Sequence, residues 1–181
     1  MNEGLFLFDP VVVHAAAAAV GIVLIAGASE KLRDLELFRY AVENYRLLGS
    51  RAAALFAPLF AAAELVAGIG LVFETTRPFA MWLALAVMLA ATGGVAVNLL
   101  RGLDRIECGC GTGGQRISWG LVGRNVCLIG LIVLAAADER SRQLDVLDYF
   151  SVAGTILAWL AIYASANQLL ANQPLLKELQ S

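Results

Sequence analysis

Charge is scarce in this chain. Only 15% of its 181 residues are Asp, Glu, Lys or Arg, and 13 basic side chains face 15 acidic ones. A net charge of −2 leaves no basic stripe to displace phosphate counterions, which excludes nucleic acid as a partner. Three cysteines cannot build a disulfide framework, so sulfur is not there to staple a small fold. The first ten positions hold no Lys or Arg, only Glu3 and Asp9. A secretory signal needs a basic leading region. Despite the cleavage-like Ala26-Gly27-Ala28, the first apolar stretch is therefore expected to remain as a membrane helix.

Apolar residues fill the space that charge leaves, at 60% of the chain. A bilayer crossing takes about 20 of them per helix. Stretches near 11–28, 52–73, 79–100, 120–137 and 149–171 meet or approach that length. They predict an all-α fold, a polytopic membrane helical bundle of about five transmembrane helices in the lipid bilayer. One integral membrane domain is expected to cover residues 1–181. Within the runs, Ala15 to Ala19 with Gly21, Ala61 to Ala63 with Gly68 and Gly70, and Ala90-Ala91 with Gly93-Gly94 supply small side chains. Lipid gives helices no hydrophobic reason to associate, so small residues such as the Ala17/Gly21 and Ala63/Ala67 pairs are read as packing positions. Gly93-Gly94 marks a candidate kink.

Residues 30–48 differ in kind. Leu32, Leu35, Phe38, Val42 and Tyr45 recur at helical steps, with Arg33, Glu36, Arg39, Glu43 and Arg46 on the other side. That pattern predicts an amphipathic interfacial helix after the first span. Trp82 and Trp119 stand near span ends, where aromatic rings favour the interface.

Connectivity then sorts the reactive groups. The amphipathic segment follows span one, and the Cys-Gly-Cys loop, residues 101–118, follows span three, so both lie at the same membrane face. Glu30, Lys31, Asn98, Arg101, Cys108, Cys110, Arg124 and Asn125 gather there. The single histidine, His14, falls near the opposite face, about 30 Å away across the hydrocarbon.

Cys108 and Cys110 can close a disulfide only in a tight ring, which Gly109 leaves unobstructed. A strained bond of this kind is easily reduced and favours exchange. Exchange begins with thiolate attack, which a nearby cation or helix N-terminus assists. Arg124, about one and a half turns into span four, is the candidate cation. A permanent disulfide and a pair of idle thiols are the structural alternatives. Two thiolates without a histidine or a third cysteine make an incomplete zinc site, and no metal is assigned. Cys127, well inside span four, is read as core packing. Glu64, in mid-span two, either bridges helices or carries protons. Arg124 is shallower than Glu64, which argues against a direct pair. Glu30-Lys31 and the Asn side chains also have structural readings, as a surface ion pair and as interhelical hydrogen bonds.

Several of these residues recur in an ordered set. Asn98-Leu99-Leu100-Arg101-Gly102, Ile106-Glu107-Cys108-Gly109-Cys110-Gly111, Gln115-Arg116-Ile117-Ser118-Trp119 and Arg124-Asn125 together resemble the methylamine-utilisation MauE family. Ser29-Glu30-Lys31-Leu32, Phe38, Tyr45-Arg46-Leu47-Leu48 and Glu64-Leu65-Val66-Ala67-Gly68 resemble the same family and its DoxX-like relatives, and the likeness spans 11–137. Gly111-Thr112-Gly113-Gly114 departs from the aromatic residue often found after the cysteines.

The resemblance implies the cytoplasmic membrane of a methylamine-oxidising bacterium. It also implies a part in maturing the disulfide-rich small subunit of methylamine dehydrogenase, with a thioredoxin-like membrane-anchored protein as partner. A looser likeness of layout links the chain to vitamin K epoxide reductase and related quinone-linked disulfide generators. Their cysteine pair has two intervening residues, and they carry a second loop pair that is missing here.

The expected function is thiol-disulfide electron transfer through Cys108 and Cys110, with Arg124 steadying the thiolate and Asn125, Glu30 and Lys31 shaping the loop's seat. A membrane quinone is a candidate terminal acceptor or donor, although no residue set in the sequence marks a quinone pocket. The alternatives are a non-enzymatic scaffold or chaperone that recruits maturation partners, and a transporter, for which inverted repeats are missing. Sidedness is in conflict. Lys31, Arg33, Arg39, Arg46, Arg51, Arg101, Arg105 and Arg116 put the cysteine face in the cytoplasm by the charge rule, whereas periplasmic disulfide chemistry requires the reverse.

Overall fold

Backbone polar groups in hydrocarbon must be satisfied within the chain, and the apolar runs do this as helices. The computed structural model describes residues 8–103, 106, 108, 116–137, 142 and 144–178, the last six as backbone only. Six helices are present among these residues: α1 (Pro10–Arg33), α2 (Leu35–Asn44), α3 (Ser50–Val72), α4 (Arg77–Leu100), α5 (Trp119–Ala135) and α6 (Val146–Glu178). Pro10–Arg33, Ser50–Val72, Arg77–Leu100 and Val146–Asn172 are long and apolar enough to cross a membrane, and α5 is a shorter apolar helix of 17 residues. At about 1.5 Å per residue α5 lies at the lower limit for a crossing. The protein is an all-α, polytopic helical bundle.

Asp9 starts α1 by accepting from the Val11 backbone N–H, ahead of Pro10 in the first turn, where a missing N–H costs nothing. The helix does not stop at 28, where the first apolar run ends. It continues to Arg33, and only Asp34 separates it from α2. The Asp34 carboxylate accepts from the Leu37 N–H at 2.9 Å and so caps the new helix.

α1 is the bundle's central helix, in contact with α3, α5 and α6. Val20 and Leu24 on α1 pack with Ala67, Leu71, Ala84, Met88, Leu128 and Ile132 from α3, α4 and α5. The backbones of α1 and α3 approach at Gly21 and Gly68, where a Cβ added to either glycine would come within 2.8–2.9 Å of the other's carbonyl oxygen. Small residues let the backbones touch, as the sequence pattern predicts, but the contact is Gly21 on Gly68. Ala17 packs elsewhere, with Ala16 and Ala135. Gly93-Gly94 does not interrupt α4, which runs unbroken. Gly94 instead admits Tyr45, whose ring lies 3.5 Å from the position a Cβ would take.

Gly21 faces Gly68 and Gly27 faces Glu64, which sets an antiparallel register. Carried on, this register puts Arg33 level with about Ala57, leaving the first turns of α3 about 10 Å beyond the end of α1. α2 folds into that step. Phe38 and Ala41 are buried, and the Phe38 ring lies 6.0 Å from that of Phe60 on α3. Leu32, assigned by pattern to the apolar side, is exposed. The outer face carries Arg39, paired with Glu36 at 3.7 Å and Glu43 at 3.1 Å.

The far end holds a separate polar set. His14 Nδ1 is 2.9 Å from an Arg77 guanidinium nitrogen, and Arg142 bridges Asp9 at 2.9 Å and Asp148 at 2.7 Å.

Replacement of Gly68 by Val is expected to force α1 and α3 apart and cost about 1–3 kcal/mol. Gly93→Ala, which meets open space, should leave thermal unfolding in detergent unchanged or slightly raised. The hydrogen bonds from Arg142 hold the Asp9 carboxyl below its ordinary value of 3.8. A lowered folded value means that the contact's contribution is full above pH 3.8 and is lost as pH falls through the lower folded value. Hydrogen exchange at Val11, corrected for intrinsic rate, should therefore stay slow down to pH 3.8 and quicken only below it.

Candidate functional site

Cys108 lies where the end of α4 meets the start of α5. The Ile117 N–H donates to the Ile106 carbonyl at 2.9 Å and draws the two sides of the loop base together. Cys108 is then buried, 7% exposed, in a cluster with Val95, Ile117 and Leu121. The Tyr45 hydroxyl, just past α2, donates to the Cys108 carbonyl at 3.2 Å. Ser118 caps α5, its side chain accepting from the Leu121 N–H. This puts the first turn of α5 against the cysteine. Cys110 and the glycines that follow it lie outside the described residues.

Beneath Cys108 is a cavity of about 320 Å³ lined by residues of α1, α2, α3, α4 and α5, with Tyr163 of α6. Its walls are mostly apolar, with Phe38, Phe56 and Phe60 on one side and Met88 and Val95 on another. Lys31, Glu64, Arg124 and Asn125 all line it. Connectivity alone had gathered Lys31, Arg124, Asn125 and Cys108 at one face. The structure adds Glu64.

Glu64 does not pair with Arg124. Its Oε2 is 2.8 Å from Lys31 Nζ, and both side chains are buried. Lys31 also donates to the Gly27 carbonyl at 3.2 Å and lies 5.6 Å from the centre of the Phe38 ring. Gly27 makes room for the pair, since a Cβ there would be 3.0 Å from Glu64 Oε1. A surface Glu30–Lys31 pair is therefore not formed. α1 extends past residue 28, which carries Lys31 into the bundle, and Glu30 on the next helical position is exposed.

Arg124 is held differently. Asn125 Oδ1 accepts from its Nε at 3.3 Å and from Nη2 at 3.0 Å, and Asn167 Oδ1 on α6 accepts from Nη1. The guanidinium also stacks 5.4 Å from the Tyr163 ring centre. Among the described residues no carboxylate pairs with it. Lys31 is paired with a carboxylate, whereas the hydrogen bonds of Arg124 among the described residues go to amide oxygens.

Asn98 is wholly buried. Its Nδ2 donates to the Gly94 carbonyl at 3.0 Å, and its Oδ1 has no hydrogen-bond partner among the described residues. Cys127 is not in the core. It is exposed and borders a second cavity, between α5 and α6, because its helical position faces away from α1 and α4. Tyr163 and Asn167 had not been read as site residues from the sequence. The usable signal was a tyrosine and an asparagine one helical turn apart in a mostly apolar span.

The profile of the family described as "Methylamine utilisation protein MauE" matches residues 9–138. A methylamine utilization protein MauE from Methylorubrum extorquens is 36% identical over 166 residues, covering 88% of each chain. Proteins of the same description from Paracoccus denitrificans and Paracoccus versutus are 35% and 37% identical over 133 residues, each match covering 72% of both chains. No solved structure matches. The matched region runs from the cap of α1 through α5 and so contains the cavity's charged residues and the cysteines, and on these matches the chain belongs to the MauE family.

Proposed function

We propose that this protein serves methylamine utilisation in the bacterial cytoplasmic membrane, as a thiol-disulfide relay in maturation of the methylamine dehydrogenase small subunit. The observation that carries the proposal is the burial of Cys108 above a cavity whose wall includes a cation with no carboxylate partner among the described residues. In the relay, a thiolate of a reduced thioredoxin-like partner attacks the Cys108–Cys110 disulfide. A mixed disulfide forms, and the partner's second thiolate displaces it. The partner leaves oxidised, and two electrons and two protons remain as the Cys108 and Cys110 thiols. Arg124 stabilises the thiolate released in each step.

The Lys31–Glu64 pair supports a functional rather than a purely structural reading. Burying two charges is costly, and replacing both with apolar groups of similar volume is often neutral or stabilising. Stability alone therefore gives little reason to keep the pair. Its place on the cavity wall gives a chemical one, as a proton-exchanging couple beside a redox thiol.

Cys108→Ser is expected to abolish mature dehydrogenase and amine-dependent growth while the protein still inserts in the membrane. If maturation proceeds with both cysteines replaced, the relay is wrong and a scaffold role remains. Arg124→Gln should slow exchange with a thioredoxin-like protein by about tenfold, the loss of roughly 1.4 kcal/mol of charge-assisted stabilisation. Glu64→Leu alone strands Lys31 and should cost about 3–5 kcal/mol, whereas Lys31→Met with Glu64→Leu should recover most of that stability. The double variant is expected to unfold like wild type and yet fail to restore maturation. Normal maturation in it would make the pair a packing device only.

A further inference from the structure

We infer that the cavity under Cys108 binds the ring of a lipid-soluble quinone, which oxidises the Cys108–Cys110 dithiol. The inference rests on the relay reading, which leaves two electrons on the cysteines after each partner is oxidised.

Four observations specify the ligand. The cavity, about 320 Å³, falls at the small end of the ~300–1,000 Å³ range of ligand pockets, suited to one ring and its substituents. Leu47, Leu48 and Phe56 belong to its lining and are also exposed, so its rim is apolar and the ligand enters from the bilayer. Polar groups on the wall include the Arg124 guanidinium, which has N–H donors beyond the three bonds it makes to Asn125 and Asn167 and therefore selects a ligand with acceptor oxygens. Cys108 borders the same space, so the ligand meets one thiol of the pair that the relay leaves reduced. An acyl chain meets the first two conditions and offers nothing to the third and fourth. A quinone, with an apolar tail, a flat ring and carbonyl oxygens, meets all four.

The step balances without a further reagent. The Cys108 thiolate adds to the ring, and the electron pair displaced onto a ring oxygen is stabilised by the Arg124 guanidinium. Cys110 then attacks the Cys108 sulfur, the carbon–sulfur bond breaks, and the S–S bond forms. The two thiol protons end on the two ring oxygens, so one quinone becomes one quinol for each dithiol oxidised.

The test uses full-length protein in nanodiscs and a photoreactive azido derivative of a short-chain ubiquinone. Saturable labelling is expected on peptides of α2 and α4 that face the cavity, displaced by unlabelled quinone. Ala91→Phe, which fills the wall, should lower that labelling about tenfold, equivalent to about 1.4 kcal/mol. Val42→Trp does the same from the opposite wall if Ala91→Phe does not fold, and Gly93→Ala should label like wild type. With pre-reduced wild type, quinol absorbance should rise by one equivalent for each pair of thiols lost. Labelling that never saturates, or that falls only on lipid-facing positions, overturns the inference. Exchange between wild type and a thioredoxin-like protein, measured with no quinone present, tests the relay by itself. If exchange persists where quinone binding fails, the relay stands and its electrons leave by another route.

Discussion

The contact between the backbones of α1 and α3 at Gly21 and Gly68 governs the cysteine end of the bundle. Two helices that touch at glycine are fixed closely in depth, because sliding by one turn brings a side chain against a carbonyl. The register so fixed sets Lys31 beside Glu64 and ends α1 short of the α3 terminus. The resulting step is the one α2 occupies. Without that step, the amphipathic helix would have only the membrane surface to lie on. With it, α2 becomes the roof of an internal space.

The space has an uneven charge distribution. Lys31 and Glu64 cancel at contact distance in surroundings where an isolated charge would be severely destabilised. Arg124 is half-buried and is held by two asparagine oxygens and a tyrosine ring. Amide oxygens orient a guanidinium without supplying a counter-charge, and no carboxylate among the described residues does so either. The wall that Cys108 shares thus carries an ion pair at one place and a guanidinium bound by amides at another.

Much of the architecture was legible in the sequence. Apolar run length and helical periodicity yield the all-α bundle and the amphipathic segment, and the order of the elements correctly separates His14 from Cys108. Interhelical depth is what a one-dimensional pattern does not contain. Lys31 followed an apolar run that ended at 28, so it read as a surface residue. The expectation that Glu64 does not pair directly with Arg124 holds, but its partner, Lys31, was not weighed because the depth of α1 against α3 is not written in the sequence. Cys127 read as core because apolar character in a membrane does not distinguish a protein-facing position from a lipid-facing one. The same ambiguity hid Tyr163 and Asn167, whose importance depends on α6 passing beside the first turns of α5.

A hydrogen bond links the roof to the cysteine backbone. Tyr45, just past α2, holds the backbone carbonyl of Cys108 itself, while α2 is joined to α1 through Asp34 and packed on α3 through Phe38. The element that walls the chamber is therefore also the one that holds the Cys108 backbone. The shape of the space and the placement of the cysteine are set together by one short helix.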